Sequence, residues 1–143
     1  MRPEIWGPKF WFIIHITSFR YPNEPTEEQK HTMKSFIYNI ANQVLPCAIC
    51  RGHMKQYLNE NSKEFDLALN NGQEYVKFMW KFHNSVNLRT GKPEMSFEQF
   101  KNIYEDMENI GDLQLYTEKY LPYIIGIIIG IGIGYILSKK SFI

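Results

Sequence analysis

The chain has 143 residues, with 10 Phe, 9 Tyr and 3 Trp, and its 16 basic and 15 acidic side chains nearly cancel. This length suits one domain with a modest core and a tail. Because no basic cluster or stripe stands out, we do not expect this protein to bind nucleic acid.

Two helices are predicted in the first third of the chain. A run rich in Trp, Phe and Ile predicts a helix over 4–19, and Pro22 ends it soon afterwards. Thr26-Glu27-Glu28-Gln29 is a capping-box pattern that opens the second helix. Its apolar residues follow three-to-four spacing until Pro46 interrupts it: Met33, Phe36, Ile37, Ile40, Ala41 and Val44.

Three further helices are predicted after Pro46. One runs from Cys47 to about Leu58, and a polar, loop-like stretch follows over 61–71. The next covers about 72–89 and ends near Gly91-Lys92-Pro93. A second capping box, Ser96-Phe97-Glu98-Gln99, opens the fifth helix, which runs to about Asn109. Since no sustained period-2 run occurs between turn signals, the predicted fold is all-α.

A separate apolar tail follows these helices. Residues 121–137 carry no charge, and Lys139-Lys140 come directly after them. Roughly 17–25 apolar residues span a bilayer, so we predict a single-pass transmembrane helix. A buried core helix is the alternative, but isoleucine and glycine on all faces favour the membrane. The predicted division is a globular domain over 1–112, a linker over 113–120, the transmembrane helix and a short basic tail over 138–143.

The only two cysteines, Cys47 and Cys50, are separated by two residues. This spacing suits a reversible disulfide, and placement at a helix start favours the thiolate form. No signal peptide precedes Pro3, so we expect an intracellular protein, in which a CxxC is more often catalytic than structural. Zinc bound by Cys47, Cys50, His53 and another histidine is the alternative. Because no second close pair of ligands accompanies the cysteines, we predict thiol–disulfide chemistry and no metal.

One face of the predicted fourth helix carries four residues at i, i+3, i+4 and i+7: Trp80, His83, Asn84 and Asn87. Asparagine and histidine can match the donors and acceptors of a planar heterocycle, while tryptophan offers a stacking surface. Trp11 and His15 are similarly spaced on the first helix. A lone histidine on an apolar helix is more often a core residue. Two helices that each present Trp and His, in a chain with one CxxC, instead predict a site for a flat cofactor.

These motifs resemble the Erv/ALR family of FAD-dependent sulfhydryl oxidases over about residues 4–108. The matching segments, in the family's order, are Trp6-Gly7-Pro8-Lys9-Phe10-Trp11-Phe12-Ile13-Ile14-His15, Tyr21-Pro22, Pro46-Cys47-Ala48-Ile49-Cys50, His83-Asn84-Ser85-Val86-Asn87 and Gly91-Lys92-Pro93. The His-Asn-x-Val-Asn segment is specific to the family. The resemblance implies a four-helix bundle with a short fifth helix, FAD in the bundle core, and a homodimer.

The resemblance also implies a role for each matching residue. Cys50 is implied to lie beside the flavin ring and to pass two electrons to FAD, and Cys47 to be attacked by a substrate thiolate. Gly7 is implied to allow a close approach near the first helix. The residues implied to line FAD are Gly7, Trp11, His15, His83, Asn84, Val86, Asn87 and Lys92. Reduced FAD then passes its electrons to O2, which gives hydrogen peroxide.

The chain departs from the family pattern in two places. Many relatives brace the fifth helix with a further disulfide, whose positions here resemble Trp80 and Phe97, so packing has to replace it. Many also carry a second, shuttle CxxC, which this sequence lacks. We therefore expect electrons to enter Cys47 directly from a separate protein, such as a thioredoxin-like CxxC carrier. The short, anchored form resembles the enzymes of large cytoplasmic DNA viruses, which implies the oxidation of virion proteins.

The tail leaves two orientations open. Lys139-Lys140 favour a cytosolic C-terminus by the positive-inside rule. Tail insertion without a signal peptide favours a cytosolic catalytic domain, and this is the orientation that we expect. The membrane is expected to be that of a virion or an internal membrane of the host. The remaining alternative function is an inactive, membrane-anchored adaptor with the same bundle, and the intact Cys47 and Cys50 argue against it.

Overall fold

The computed structural model describes residues 2–105 together with Ile125, and these residues form helices and no strand. The helices are α1 (Pro3–Phe19), α2 (Glu27–Asn39), α3 (Ala48–Glu60), α4 (Ser62–Ala68), α5 (Gly72–Arg89) and α6, which is described over 97–105, with a π turn at Ile40–Val44. The all-α prediction is confirmed for this part of the chain.

The predicted tail lies outside the part of the chain that the structure describes. This applies to the linker over 113–120, the membrane segment over 121–137 apart from Ile125, and the basic end over 138–143. The predicted domain boundary at residue 112 also falls there. Among the described helices, none combines the length and the hydropathy that crossing a bilayer requires. The anchor therefore stays a prediction.

Side-chain hydrogen bonds set where α2 and α6 begin. Gln29 N donates to Thr26 Oγ1 at 3.2 Å, and Thr26 N donates to Gln29 Oε1 at 2.8 Å. The same reciprocal pair joins Gln99 N to Ser96 Oγ at 3.1 Å and Ser96 N to Gln99 Oε1 at 2.8 Å. Each box satisfies amide groups that the first helical turn leaves without partners. Both predicted capping boxes are confirmed.

The core lies between α1, α2, α3, α4 and α5. α1 and α4 both pack against α5, and the π turn packs against α3. The largest fully buried apolar side chains of this core are Tyr75, Phe65, Phe78, Ile37, Leu58 and Met79. Burying each of them contributes roughly 1.5–3 kcal/mol relative to exposure, so this apolar interior is the main stabilising feature of the domain. A smaller cluster of Val76, Phe100 and Tyr104 joins α5 to α6.

The loop predicted over 61–71 is wrong, because Ser62–Ala68 forms helix α4. Phe65 is fully buried, and its ring stacks on Phe78 of α5 with centroids 5.0 Å apart. A helix of seven residues is not stable alone in water. Burial of Phe65 and Ala68 against α5 therefore stabilises α4, and the polar composition of the segment does not reveal this tertiary contribution.

The predicted apolar face of the second helix is wrong at Val44, which is 53% exposed. Ile40–Val44 forms a π turn, and Leu45 N donates to Ile40 O at 3.2 Å. Such a turn contains one more residue than an α turn, so the buried face shifts by one position. Leu45 takes the buried place, and Val44 lies at the surface three residues before Cys47.

Trp80 and Phe97 hold α6 against α5. Their ring centroids lie 5.5 Å apart in an edge-to-face arrangement with an interplanar angle of 66°. Trp80 Nε1 also donates a 2.8 Å hydrogen bond to the Met95 carbonyl, just before α6. The expected packing at these two positions is thus present in the structure.

Candidate functional site

Cys47 and Cys50 are joined by a disulfide at the start of α3, with their Cα atoms 5.2 Å apart. Cys47 is the N-cap residue of α3, and its sulfur accepts a hydrogen bond of 3.1 Å from Cys50 N. The first turn of α3 carries no acidic residue. After reduction, this amide and the positive end of the helix dipole stabilise a thiolate at Cys47.

The two cysteines differ in their surroundings. Cys50 packs against the main hydrophobic core, whereas Cys47 precedes α3 in an extended conformation. Ile49, which lies between them, is 71% exposed. Cys50 therefore lies against the core, while the neighbouring Ile49 lies at the protein surface. A disulfide that carries electrons from an external thiol to a buried acceptor requires this arrangement.

Arg51 fixes the segment that carries Cys47. Its guanidinium donates a hydrogen bond from Nη1 to the Leu45 carbonyl, and its amide N donates to Cys47 O at 2.9 Å. The segment 45–47 is thus bonded at both ends to the first turn of α3. Sequence reasoning missed Arg51, and its position directly after the CxxC was the only signal available.

A cluster of three aromatic rings lies where α1 meets α5: the buried His15 and His83 and the partly buried Trp11. His15 Nε2 and His83 Nδ1 are 2.8 Å apart and share a hydrogen bond. Trp11 stacks on His83 with centroids 4.1 Å apart and an interplanar angle of 6°, and on His15 at 5.1 Å and 2°. The structure therefore brings together three of the predicted cofactor residues. We call this set the histidine cluster.

Burial keeps both histidines neutral. It lowers the pKa of His83 to about 4, with a smaller contribution from the positive charge of Lys92. Burial, and secondarily His83, also holds the pKa of His15 well below its ordinary value. Since both rings are neutral near pH 7, one ring N–H donates to the lone pair of the other ring.

One nitrogen of the histidine cluster has no hydrogen-bond partner among the residues that the structure describes. Three buried polar atoms of the described residues make no hydrogen bond: Trp6 Nε1, His15 Nδ1 and Tyr75 OH. Leaving such an atom without a partner costs about 1–3 kcal/mol. Two of the three belong to α1, and the His15 ring also contacts Tyr104 of α6, with centroids 4.4 Å apart. Unpaired nitrogen beside stacked aromatic rings fits a flat heterocyclic cofactor that can hydrogen-bond.

The predicted polar face of α5 is divided between two tasks. His83 joins the histidine cluster, whereas the Asn84 side chain bonds the Met95 backbone twice, through Nδ2 to O at 2.8 Å and Oδ1 to N at 2.9 Å. Asn87 Nδ2 lies 3.5 Å from Asn84 Oδ1, and the Asn87 carbonyl accepts from Lys92 N at 2.8 Å. Asn84 and Asn87 therefore hold the connection between α5 and α6 in this structure.

The remaining predicted residues lie around the same helices. Val86 is partly buried and packs against the main core, as Trp11 and Cys50 also do. Lys92 is exposed and follows Gly91, whose φ of 70° lies in the left-handed region that favours glycine. A Cβ added at Gly7 would meet no atom of the described residues within 4 Å, so packing within this part of the chain does not require a glycine there.

The zinc alternative finds no support among the residues described. No group of three or more His, Cys, Asp or Glu side chains there could hold a metal ion. Cys47 and Cys50 bond each other, and His53 lies partly exposed on α3.

Comparison with known proteins gives consistent similarities. Residues 8–105 match the model of the Erv1/Alr family. The FAD-linked sulfhydryl oxidase of African swine fever virus is 37% identical over 100 residues, which cover 70% of this chain and 80% of the viral protein. The crystal structure of the FAD binding domain of Erv1 from Saccharomyces cerevisiae superposes with a TM-score of 0.67 at 27% identity, over 74% of this chain and 96% of that one.

Proposed function

This chain belongs to the Erv1/Alr family and is an FAD-linked sulfhydryl oxidase, and we propose that the Cys47–Cys50 disulfide is its redox-active centre. The observation that supports this most is the position of the disulfide. It lies at the start of α3, and Cys50 packs on the same core as Trp11 of the histidine cluster.

We propose that the histidine cluster and its neighbours hold FAD. The set is the one predicted from the sequence: Gly7, Trp11, His15, His83, Asn84, Val86, Asn87 and Lys92. When bound, FAD accepts two electrons from a dithiol and passes them to a final acceptor. The unpaired His15 Nδ1 and the stacked rings support this assignment. Asn84 contributes by fixing the start of α6, since both ends of its amide bond Met95.

The thiol chemistry follows from the two cysteines. A substrate thiolate attacks Cys47 Sγ, which forms a mixed disulfide and releases Cys50 as a thiolate. A second substrate thiolate attacks the substrate sulfur of that mixed disulfide and releases Cys47. The substrate leaves as a disulfide, and its two electrons remain on Cys47 and Cys50. The Cys50 N–H that bonds the Cys47 sulfur stabilises the thiolate released in this second attack.

Two single variants test the centre. Cys47→Ser and Cys50→Ser are expected to keep bound FAD, seen as the yellow absorbance of the purified protein, and to lose dithiol-dependent oxygen uptake. The retained flavin serves as the folding control. Oxygen uptake at the wild-type rate in either variant would refute the assignment.

We propose that O2 is the final acceptor and that the substrate is a protein with an accessible thiol pair, such as a thioredoxin-like CxxC carrier. The absence of further cysteines supports direct delivery to Cys47. Peroxide formed per thiol pair oxidised tests the acceptor. Mass spectrometry of mixed disulfides trapped by Cys50→Ser tests the identity of the substrate protein. A trapped partner with a single isolated thiol would contradict the proposed thiol pair.

We also propose a homodimer anchored by residues 121–137, with its catalytic domain on the cytosolic side of a virion or host internal membrane, where it oxidises virion proteins. The uncharged tail sequence supports the anchor.

The dimer is supported by one face of α1, which exposes Ile5, Phe12 and Ile13 and could contact a second copy. Sedimentation of wild type and Phe12→Glu tests this contact, and an unchanged dimer in the variant would exclude it.

A further inference from the structure

Two large aliphatic side chains are exposed beside the reactive disulfide. Ile49 is 71% exposed and Val44 is 53% exposed, and they lie on either side of Cys47 in the sequence. A single exposed aliphatic residue needs no explanation. Two of them within three residues of Cys47 expose apolar surface close, along the chain, to the sulfur that a substrate attacks.

The π turn is the reason that Val44 belongs to this surface. In a continuous α-helix, Val44 would follow Ile37, Ile40 and Ala41 into the core. The turn at Ile40–Val44 adds one residue, so Leu45 is buried and Val44 is exposed. The turn also packs against α3, which carries the disulfide at its start. π turns inside helices are frequent at functional sites, and this one exposes an apolar residue next to the reactive centre.

The sequence on both sides of the disulfide carries charge of one sign. No Asp or Glu occurs between Glu28 and Glu60, whereas Arg51 and Lys55 follow Cys47 at i+4 and i+8 on α3 and therefore share its side of the helix. The two lysines of α2 in this interval are neutralised, Lys30 by Glu27 at 2.7 Å and Lys34 by Asp66 at 2.6 Å.

Lys55 remains as the available cation. Its side chain is exposed, and among the residues described no acidic group pairs with it. Arg51 contributes charge, but its guanidinium already bonds Leu45 O. The positive end of the α3 dipole lies at Cys47 and has the same sign.

From this surface we infer that Val44, Ile49 and Lys55 dock a thiol protein whose reactive cysteine lies among acidic and apolar residues. The inference rests on the proposed function, because it assumes that the substrate attacks Cys47. Any protein that does so covers the neighbouring Val44 and Ile49, which identifies the occupant as the substrate. Complementary charge speeds the encounter and disfavours a basic partner.

Two synthetic peptides test the inference on the full chain with FAD bound. Both contain a CxxC and one leucine, and they differ only in flanking residues, which are Asp and Glu in one and Lys in the other. We expect kcat/KM to be about tenfold higher for the acidic peptide at low salt, with the difference shrinking as salt is added. Each peptide value is divided by kcat/KM for dithiothreitol, which removes changes in the chemistry at the disulfide.

Four variants, one of them a control, locate the effect. Lys55→Glu is expected to remove or reverse the preference between the peptides. Val44→Ser and Ile49→Ser are expected to lower the ratio for both peptides about three- to tenfold, since each removes an apolar contact worth roughly 1 kcal/mol. Lys63→Glu, a matched change at an exposed lysine of α4, is expected to keep the preference.

The outcomes separate the two claims. If the wild type oxidises dithiothreitol but treats both peptides alike, or if Lys55→Glu and Lys63→Glu behave alike, the docking surface is refuted and the oxidase assignment stands. If the wild type oxidises neither dithiothreitol nor the peptides, the proposed redox centre itself is refuted.

Discussion

His15 of α1 and His83 of α5 share a hydrogen bond of 2.8 Å between two buried rings, although 68 residues separate them in the chain. Because burial lowers the pKa of both, the pair is neutral and carries a single proton in the bond. The pair therefore joins the two helices, and in the described part of the chain His15 Nδ1 has no hydrogen-bond partner. One contact thus contributes both to the fold and to the proposed cofactor site.

Replacing His83 by Ala is expected to weaken FAD binding by about 1–3 kcal/mol, because the change removes a stacked ring and leaves a second buried nitrogen of His15 unpaired. Asn87→Ala is expected to act in the same direction. Titration of FAD with the purified variants measures the effect. His31→Ala, at an exposed histidine of α2, is the matched control. Undiminished affinity in His83→Ala would remove the histidine cluster from the cofactor site.

The free energy of unfolding is expected to fall as the pH drops from about 6.5 towards 4. The folded pKa values of His15 and His83 are lowered, that of His83 to about 4, so the unfolded chain binds more protons in this window. Each histidine contributes a slope of up to about 1.4 kcal/mol per pH unit there, and none above it.

Denaturant unfolding at several pH values, with FAD at a fixed excess, measures this slope. His83→Gln is expected to flatten it, while His31→Gln keeps it. A free energy of unfolding that stays constant between pH 7.5 and 5 would contradict the neutral, buried pair.

Much of this structure could be predicted because the signals are local. The capping boxes at Thr26 and Ser96 and the helix over Gly72–Arg89 follow from residues within a few positions of one another. The predicted grouping of Trp11 and His15 with His83 is also present.

The features that escaped prediction depend on distant contacts. α4 is stabilised by burial of Phe65 on α5, and the π turn at the end of α2 packs against α3. The bonds of Asn84 to Met95 have the same origin, since helix spacing places Asn84 on a face but does not identify its partner.

Trp80 is expected to stabilise the α5–α6 contact through both its ring and its N–H. Trp80→Phe keeps a smaller aromatic ring and removes the hydrogen bond to Met95 O, whose loss alone should cost about 0.5–1.5 kcal/mol. Trp80→Ala also removes the contact with Phe97 and should cost about 2–3 kcal/mol. Thermal unfolding measures both, with Leu88→Ala at an exposed position of α5 as the control. Equal stability of all three variants would show that the packing of Trp80 on Phe97 does not replace the disulfide that braces the fifth helix in many relatives.

The predicted membrane segment is expected to set location and not chemistry, because every site residue precedes it in the sequence. A chain that ends at Lys119 should be soluble, yellow and active toward small dithiols. In cells it should oxidise its native partner poorly, since it loses the high effective concentration that a shared membrane provides. Inactivity of this shortened chain toward small dithiols would instead make the tail part of the folded enzyme.

The central claim is that electrons pass from a thiol through Cys47 and Cys50 to bound FAD. Anaerobic titration of the purified protein with a dithiol, followed by the absorbance of oxidised flavin, tests it most directly. We predict that the wild type loses this absorbance as dithiol is added, and that Cys50→Ser keeps both its flavin and the absorbance. Loss of the absorbance in Cys50→Ser at the wild-type rate would show that electrons reach FAD without the disulfide, and would contradict this account.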